Sequence, residues 1–256
     1  MSRTMGIPRL SMAMSTEPQV SAPSADSQAQ GDDLALLGLL QLVSPALPIG
    51  AFAWSQGLES AFELDWVRDE ASLHAWLAGV LDDGLSRCEL PVLARQRAAL
   101  QAEDGETVAY WDAWLAASRE TRELAEEDQR LGAALRRLLN NLELLPDASA
   151  LPGLLPEQPG YVTLFAWLAQ ARGVPSRQVL LGFAWGWLEN QLAVACKALP
   201  LGHTAAQRLI ERLRPELVVA VDRALSLADD ELGPLLPGLA LASAQHETQY
   251  SRLFRS

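Results

Sequence analysis

The sequence predicts an all-α fold, a single-domain helical bundle behind a disordered N-terminal leader. Three observations carry this expectation. From Leu34 onward, apolar residues recur at the spacing of a helix face. No stretch alternates apolar and polar residues as a half-buried strand would. Prolines and glycines gather between the periodic segments, where they punctuate helices rather than interrupt them. With 256 residues, 49% of them hydrophobic and 20% charged, the chain can build one large helical core or two small ones.

Residues 1–31 are rich in Ser, Ala, Gln and Pro and show no apolar period, so they are expected to be the disordered leader. The helical domain is expected over 32–245, followed by a distinct C-terminal segment, 246–256. Leu34 to Leu42 is a short apolar helix, stopped by a turn-rich stretch running from Ser44 through Pro45 and Pro48 to Gly50. Phe52 to Leu64 resumes helical spacing. Asp69 suits the N-cap of the next helix, in which Leu73, Trp76, Leu77, Val80 and Leu81 share one face. Further helices are expected near 87–101, 106–123 and 126–144, the last carrying the acidic run Glu126, Glu127 and Asp128, read as a solvated face. Pro146, Pro152, Pro156 and Pro159 mark an irregular connection.

Gly173 is expected to end the helix before Pro175, and Pro175 suits the first position of the next. In that next segment, up to Leu199, apolar residues lie on nearly every side, Trp185 and Trp187 among them, as in a helix at a protein's centre. Gly182 and Gly186 form a G-x-x-x-G pair, read as close helix packing in a soluble core or at a dimer interface. Thr204 and Gln207 have capping-box spacing, which starts a helix near Ala205, and Pro215 should kink or split it.

Charge excludes one class of partner. The net charge is -12, with 32 acidic against 20 basic residues, which argues against nucleic acid. No continuous apolar segment resembles a secretion signal or a membrane span. Cys88 and Cys196 are far apart and in apolar helical contexts, expected as buried thiols of a cytoplasmic protein. Catalytic machinery is scarce. His74 reads as a packed or solvent-edge residue, His203 as a neighbour of a helix cap, and His246 as too close to the chain end for a preorganised site. No phosphate-binding glycine motif occurs. Three scattered histidines and two scattered cysteines cannot close a nickel site within a short segment, so no metal site and no catalytic residue is expected. The ending, with Tyr250, Arg252, Leu253, Phe254 and Arg255, is rich in residue types that anchor interfaces. On composition alone it could dock on its own body or order against a partner.

Four stretches resemble the urease accessory proteins of the UreF family. They are LLQLVSPALPIGAFAWSQGLESAFE (Leu39 to Glu63), SRETRELAEEDQRLG (Ser118 to Gly132), GFAWGWLENQLAVACKALPLGHTAAQRL (Gly182 to Leu209) and HETQYSRLFRS (His246 to Ser256), in the family's order. The resemblance implies an all-helical two-fold dimer without enzymatic activity. It implies assembly with UreD (also called UreH) and with the GTPase UreG, and nickel delivery to apo-urease. Nickel and GTP then act through the complex, no cofactor being bound by the chain itself. It places UreD contacts on His246, Glu247, Gln249, Tyr250, Arg252, Leu253, Phe254 and Arg255, and UreG contacts on Ser55, Gln56, Glu59, Lys197, Pro200 and Gly202. Two alternatives remain open: that the chain activates UreG's GTPase by donating an arginine such as Arg119 or Arg122, or that it carries nickel in its own right. The family's His-rich tails are missing. Where the family has Gly, Tyr-like and Gln residues, this chain has Ala51, Trp54 and His203, and Ala51 restricts any turn needing a positive φ there.

Overall fold

The computed structural model describes residues 25–144, 153–199 and 201–256, and among these every regular element is helical. The first helix, α1, spans Ala25–Leu42, beginning well ahead of the expected Leu34 and taking in the last residues of the stretch read as leader. Ala, Gln and Leu in this stretch are good helix formers, and no proline stands between Ala25 and Leu42 to stop them. Its buried stripe is Ala35, Leu39 and Leu42. After the turns of 43–50, a 3-10 turn at Ala51–Ala53 leads through an irregular stretch to α2, Leu58–Glu63. The continuous helix expected from Phe52 is therefore broken. Gln56 and Gly57 both adopt positive φ, 54° and 78°, which no α-helix accommodates. The positive φ near the family difference at Ala51 falls on Gly50 instead, so alanine at 51 strains nothing.

Asp69 caps α3, Glu70–Val80, as expected: its carboxylate accepts from Ser72 N at 2.8 Å, and Ser72 Oγ answers the Asp69 amide at 3.1 Å. A π-helical turn at Leu81–Leu85 joins α3 to α4, Glu89–Gln101. Helix α5 is Gly105–Ala117 and α6 is Arg122–Asn141. Both boundaries differ from the expected ones because Thr121 is the N-cap of α6, accepting from Leu124 N at 3.3 Å. The connection before α7, Tyr161–Ala171, is irregular over its described part, while Pro146 and Pro152 lie outside the described residues. Gly173 follows α7, and Pro175 occupies the N-cap of α8, Ser176–Ala198, one place before its expected position. Helix α9, His203–Ser226, runs on through Pro215. It starts earlier than expected because extended Gly202 takes the cap position, which puts Thr204 inside the first turn and leaves the capping box unformed. After a 3-10 turn at Asp229–Glu231 comes α10, Pro237–His246.

Helix α8 is the central element, packed against α1, α2, α4 and α9. Val179, Leu180, Ala184, Leu188, Leu192, Val194 and Ala195 are buried along it, and Trp185 and Trp187 are half-buried. The G-x-x-x-G face receives α1 of the same chain. A Cβ on Gly182 would stand 2.6 Å from Leu39 Cδ1, and one on Gly186 would meet Val43 at 3.7 Å. The missing side chains let two helices of one core approach closely. No helix among the described residues is long and apolar enough to cross a membrane.

Candidate functional site, a docked C-terminus on a buried ionic latch

The C-terminal segment lies on α2, α6 and the stretch around residues 53–56, held by polar groups that are almost fully buried. Glu59, on α2, is 4% exposed. Its carboxylate accepts from Leu253 N at 2.6 Å, from Phe254 N at 2.9 Å and from Gln249 Nε2 at 3.4 Å. Two main-chain amides of an irregular segment, which no helix or sheet satisfies, find their acceptor there. His246, the last residue of α10, is 0% exposed and lies between two carboxylates: Nε2 is 3.1 Å from Glu59 and Nδ1 is 2.8 Å from Glu123. Arg252 reaches the other oxygen of Glu123 at 3.0 Å.

Carboxylates only accept, whereas a neutral imidazole carries one N–H and one lone pair. Each ring nitrogen thus faces a carboxylate, and Arg252 brings a guanidinium to the Glu123 side of the same cluster. The expectation that His246 is too mobile for an ordered site is overturned. Its order comes from elements about 120 and 190 residues away in sequence, which no local pattern announces.

Beyond the latch the chain continues along residues 53–56. Arg255 N donates to Ala53 O at 2.8 Å, Ser55 N donates to Ser256 O at 3.0 Å, and Gln56 N donates to Ser256 Oγ at 3.1 Å. The Ser55 hydroxyl also donates to Ser256 O. Phe254 is buried, with Lys197 Nζ 4.6 Å from its ring centroid, a cation–π contact. Gly57 makes the seat possible. Its φ is +78°, and a Cβ there would stand 3.2 Å from Ser243 N of α10.

Two groups of residues expected on separate surfaces are thus brought together. Ser55, Gln56, Glu59 and Lys197 meet His246, Gln249, Arg252, Leu253, Phe254 and Arg255 in one site. Ser55 and Glu59 lie beneath the segment rather than facing solvent. Tyr250 is fully exposed, Leu253 is 56% exposed, and Glu247 and Arg255 also face outward. Gly202 is exposed at the start of α9, apart from this cluster, and Pro200 lies outside the described residues.

Sequence reading missed Glu123 and misjudged its neighbours. Glu127 and Asp128 are buried, 6% and 9% exposed, and do not form a solvated face. The signal was present: Glu123, Glu127, Leu131, Leu135 and Leu139 recur every four residues and are all buried on one face of α6. Arg119, in the bend before α6, is enclosed too, paired with Glu89 and, at 3.5 Å, with Asp128. Burial works against its charge, but Glu89 and Asp128 outweigh this and hold the guanidinium above its usual range. So engaged, it is not presented to a partner. Arg122 is, its side chain 78% exposed. Among the described residues, no group of three or more His, Cys, Asp or Glu is arranged to hold a metal ion.

The model of the UreF family matches residues 67–214, more than half of the chain. The chain belongs to the UreF family of urease accessory proteins. It is 70% identical over 227 residues to the urease accessory protein UreF of Pseudoalteromonas translucida, covering 89% of this chain and 97% of that protein. The UreF of Marinobacter nauticus is 72% identical over 226 residues, 88% of this chain and 96% of the relative. That of Chromohalobacter salexigens is 67% identical over 233 residues, 91% of this chain and all of the relative. These alignments span nearly the whole length of each of those relatives.

Proposed function

We propose that this UreF-family chain is a non-enzymatic scaffold that holds UreD (UreH) and UreG together and assists GTP-dependent nickel insertion into apo-urease. On this reading it acts in the cytoplasm as a two-fold dimer, and nickel and GTP are bound through the complex rather than by the chain alone. The observation that carries the reading is the C-terminal segment. A segment held from below by a buried polar latch, yet turning Tyr250 and Leu253 outward, is preorganised for a partner, because the entropy of ordering it has already been paid. Aromatic and arginine side chains raised on a rigid base are what a binding hot spot requires.

The test is co-purification with UreD and UreG, comparing the parent with a Tyr250→Ala, Leu253→Ala variant. A chain ending at Ala244 is a weaker choice, since it would strand Glu59 and Glu123 as buried charges and disturb the fold as well as the interface. The parent should retain both partners, and the double variant should lose UreD while keeping its helical content. A parent that retains neither, or a purified chain that turns over a small molecule unaided, would refute the scaffold.

A further inference from the structure

A cavity of about 230 Å³ opens beside the turn after α1 and runs inward between α4, α6, α7 and α8. Phe52, 71% exposed, stands among its lining residues, so the space reaches the surface. Much of its lining is apolar, with Leu42, Val43, Leu131, Phe165 and Phe183 in it. Polar groups share that lining: Glu89, Glu120, Glu127, Asp128 and Glu189 stand there with Arg119, five carboxyl groups against one guanidinium.

Arg119 spends its charge on Glu89 and Asp128, as described above. Glu127, 6% exposed, accepts at Oε1 from Gln56 Nε2 at 3.0 Å. Burial accordingly pushes the Glu127 carboxyl up to about 8, the Gln56 bond and Arg119 offsetting this only in part while Asp128 and Glu89 add to it. Tyr161, facing the same carboxyls from α7, is likewise raised by burial and by the Glu127 and Asp128 charges. What the lining lacks is a second cation. The carboxyls are not arranged for a metal ion, and the walls are built to cover an aliphatic stem.

We propose that this cavity takes the side chain of a lysine or arginine projected by a partner protein, its stem along the Leu42–Phe183 walls and its charged head on Glu127. The existence of a protein partner rests on the scaffold reading above; the cavity's chemistry does not. Seating the head deprotonates Glu127, whose proton leaves to solvent, so binding and proton release go together.

The test uses the isolated full chain and n-butylguanidinium as the probe, with n-butanol as its neutral counterpart and nickel(II) as a metal arm. Binding is followed by calorimetry in two buffers of different ionisation heat, and by the fluorescence of Trp187, which lines the same space. The expected result is saturable binding of n-butylguanidinium with proton uptake by the buffer near neutral pH, and at least about tenfold weaker binding of n-butanol. Glu127→Gln, which retains a group for Gln56, should weaken the guanidinium probe by about tenfold or more and abolish the proton release. Equal affinity for the alcohol, undiminished affinity in Glu127→Gln, nickel competing for the site, or no saturable binding would each overturn the proposal. Should Glu127→Gln fail to fold, proton release by the parent decides alone. Loss of probe binding with intact co-purification condemns the cavity and spares the scaffold, and the reverse result does the opposite.

Discussion

Replacing Glu59 by alanine removes the acceptor shared by two main-chain amides, a glutamine and a buried histidine. Leu253 is more than half exposed, so its amide can turn to water; Phe254, 7% exposed, has no such recourse. Leaving that donor unsatisfied costs about 1–3 kcal/mol. His246 would keep Glu123 but lose the carboxylate on its other nitrogen, and removing one member of a buried charge cluster costs about 3–5 kcal/mol. Glu59 is itself relieved of burial, which offsets part of the sum, so the expected net loss is about 3–5 kcal/mol. Because the broken contacts all belong to one segment, the loss should appear first as local opening. Urea unfolding gives the total, and amide hydrogen exchange locates it. The Ser55 amide, bonded to Ser256 O at 3.0 Å, and the Phe254 amide should lose protection, while amides in the middle of α8 stay slow. Glu59→Gln keeps an acceptor oxygen and should recover part of the loss. Unchanged protection at Phe254, with a stability change below about 1 kcal/mol, would refute the latch.

Further outcomes follow from other contacts. Gly57→Ala must place a side chain at φ +78° and 3.2 Å from a main-chain nitrogen, and should cost about 2 kcal/mol or more in urea unfolding. Gly182→Ala meets the end of a flexible leucine at 2.6 Å and should cost about 1–3 kcal/mol, read as a lower Tm. The Glu127 carboxyl is pushed up to about 8 in the folded chain, against an ordinary value of 4.5. Below the lower value both states hold the proton and nothing is lost. Between the two, the folded chain alone retains it, and stability falls as pH rises until the upper value is passed. Glu127→Gln should therefore gain on the parent with rising pH across that window, by about 1.4 kcal/mol per pH unit at most. Burial pushes the Cys88 thiol up to about 12, so a thiol reagent at mildly alkaline pH should modify the half-buried Cys196 first, checked by peptide mass mapping.

Helix identity was legible wherever local chemistry decides it. Asp69 announces a cap, Gly173 and Pro175 bracket a junction, and a 23-residue helix apolar on most sides has nowhere to go but the centre. Starts and stops were legible only in part. The Thr121 cap is hard to see in sequence because charged residues lie on both sides of it and no apolar period marks where one helix stops and the next begins. Gly202 took the role assigned to Thr204. The site was the least legible, for a physical reason. A buried carboxylate is defined by its counterions, and those of Glu59 and Glu123 come from the other end of the chain. A run such as Glu126, Glu127 and Asp128 looks alike whether it faces water or Arg119, and only its register with Leu131 and Leu135 tells the difference. The family motifs marked these residues as special without saying that they touch one another.

Gln56 sits at a crossroads of the molecule. Its main-chain nitrogen holds Ser256, its side-chain oxygen receives Trp187 Nε1 at 2.9 Å, and its side-chain nitrogen reaches Glu127. It does this from a left-handed backbone at φ 54°, a posture an ordinary side chain leaves when given the chance. The tip of the polypeptide, the central helix and a carboxyl of the cavity are thus all tethered to one backbone position.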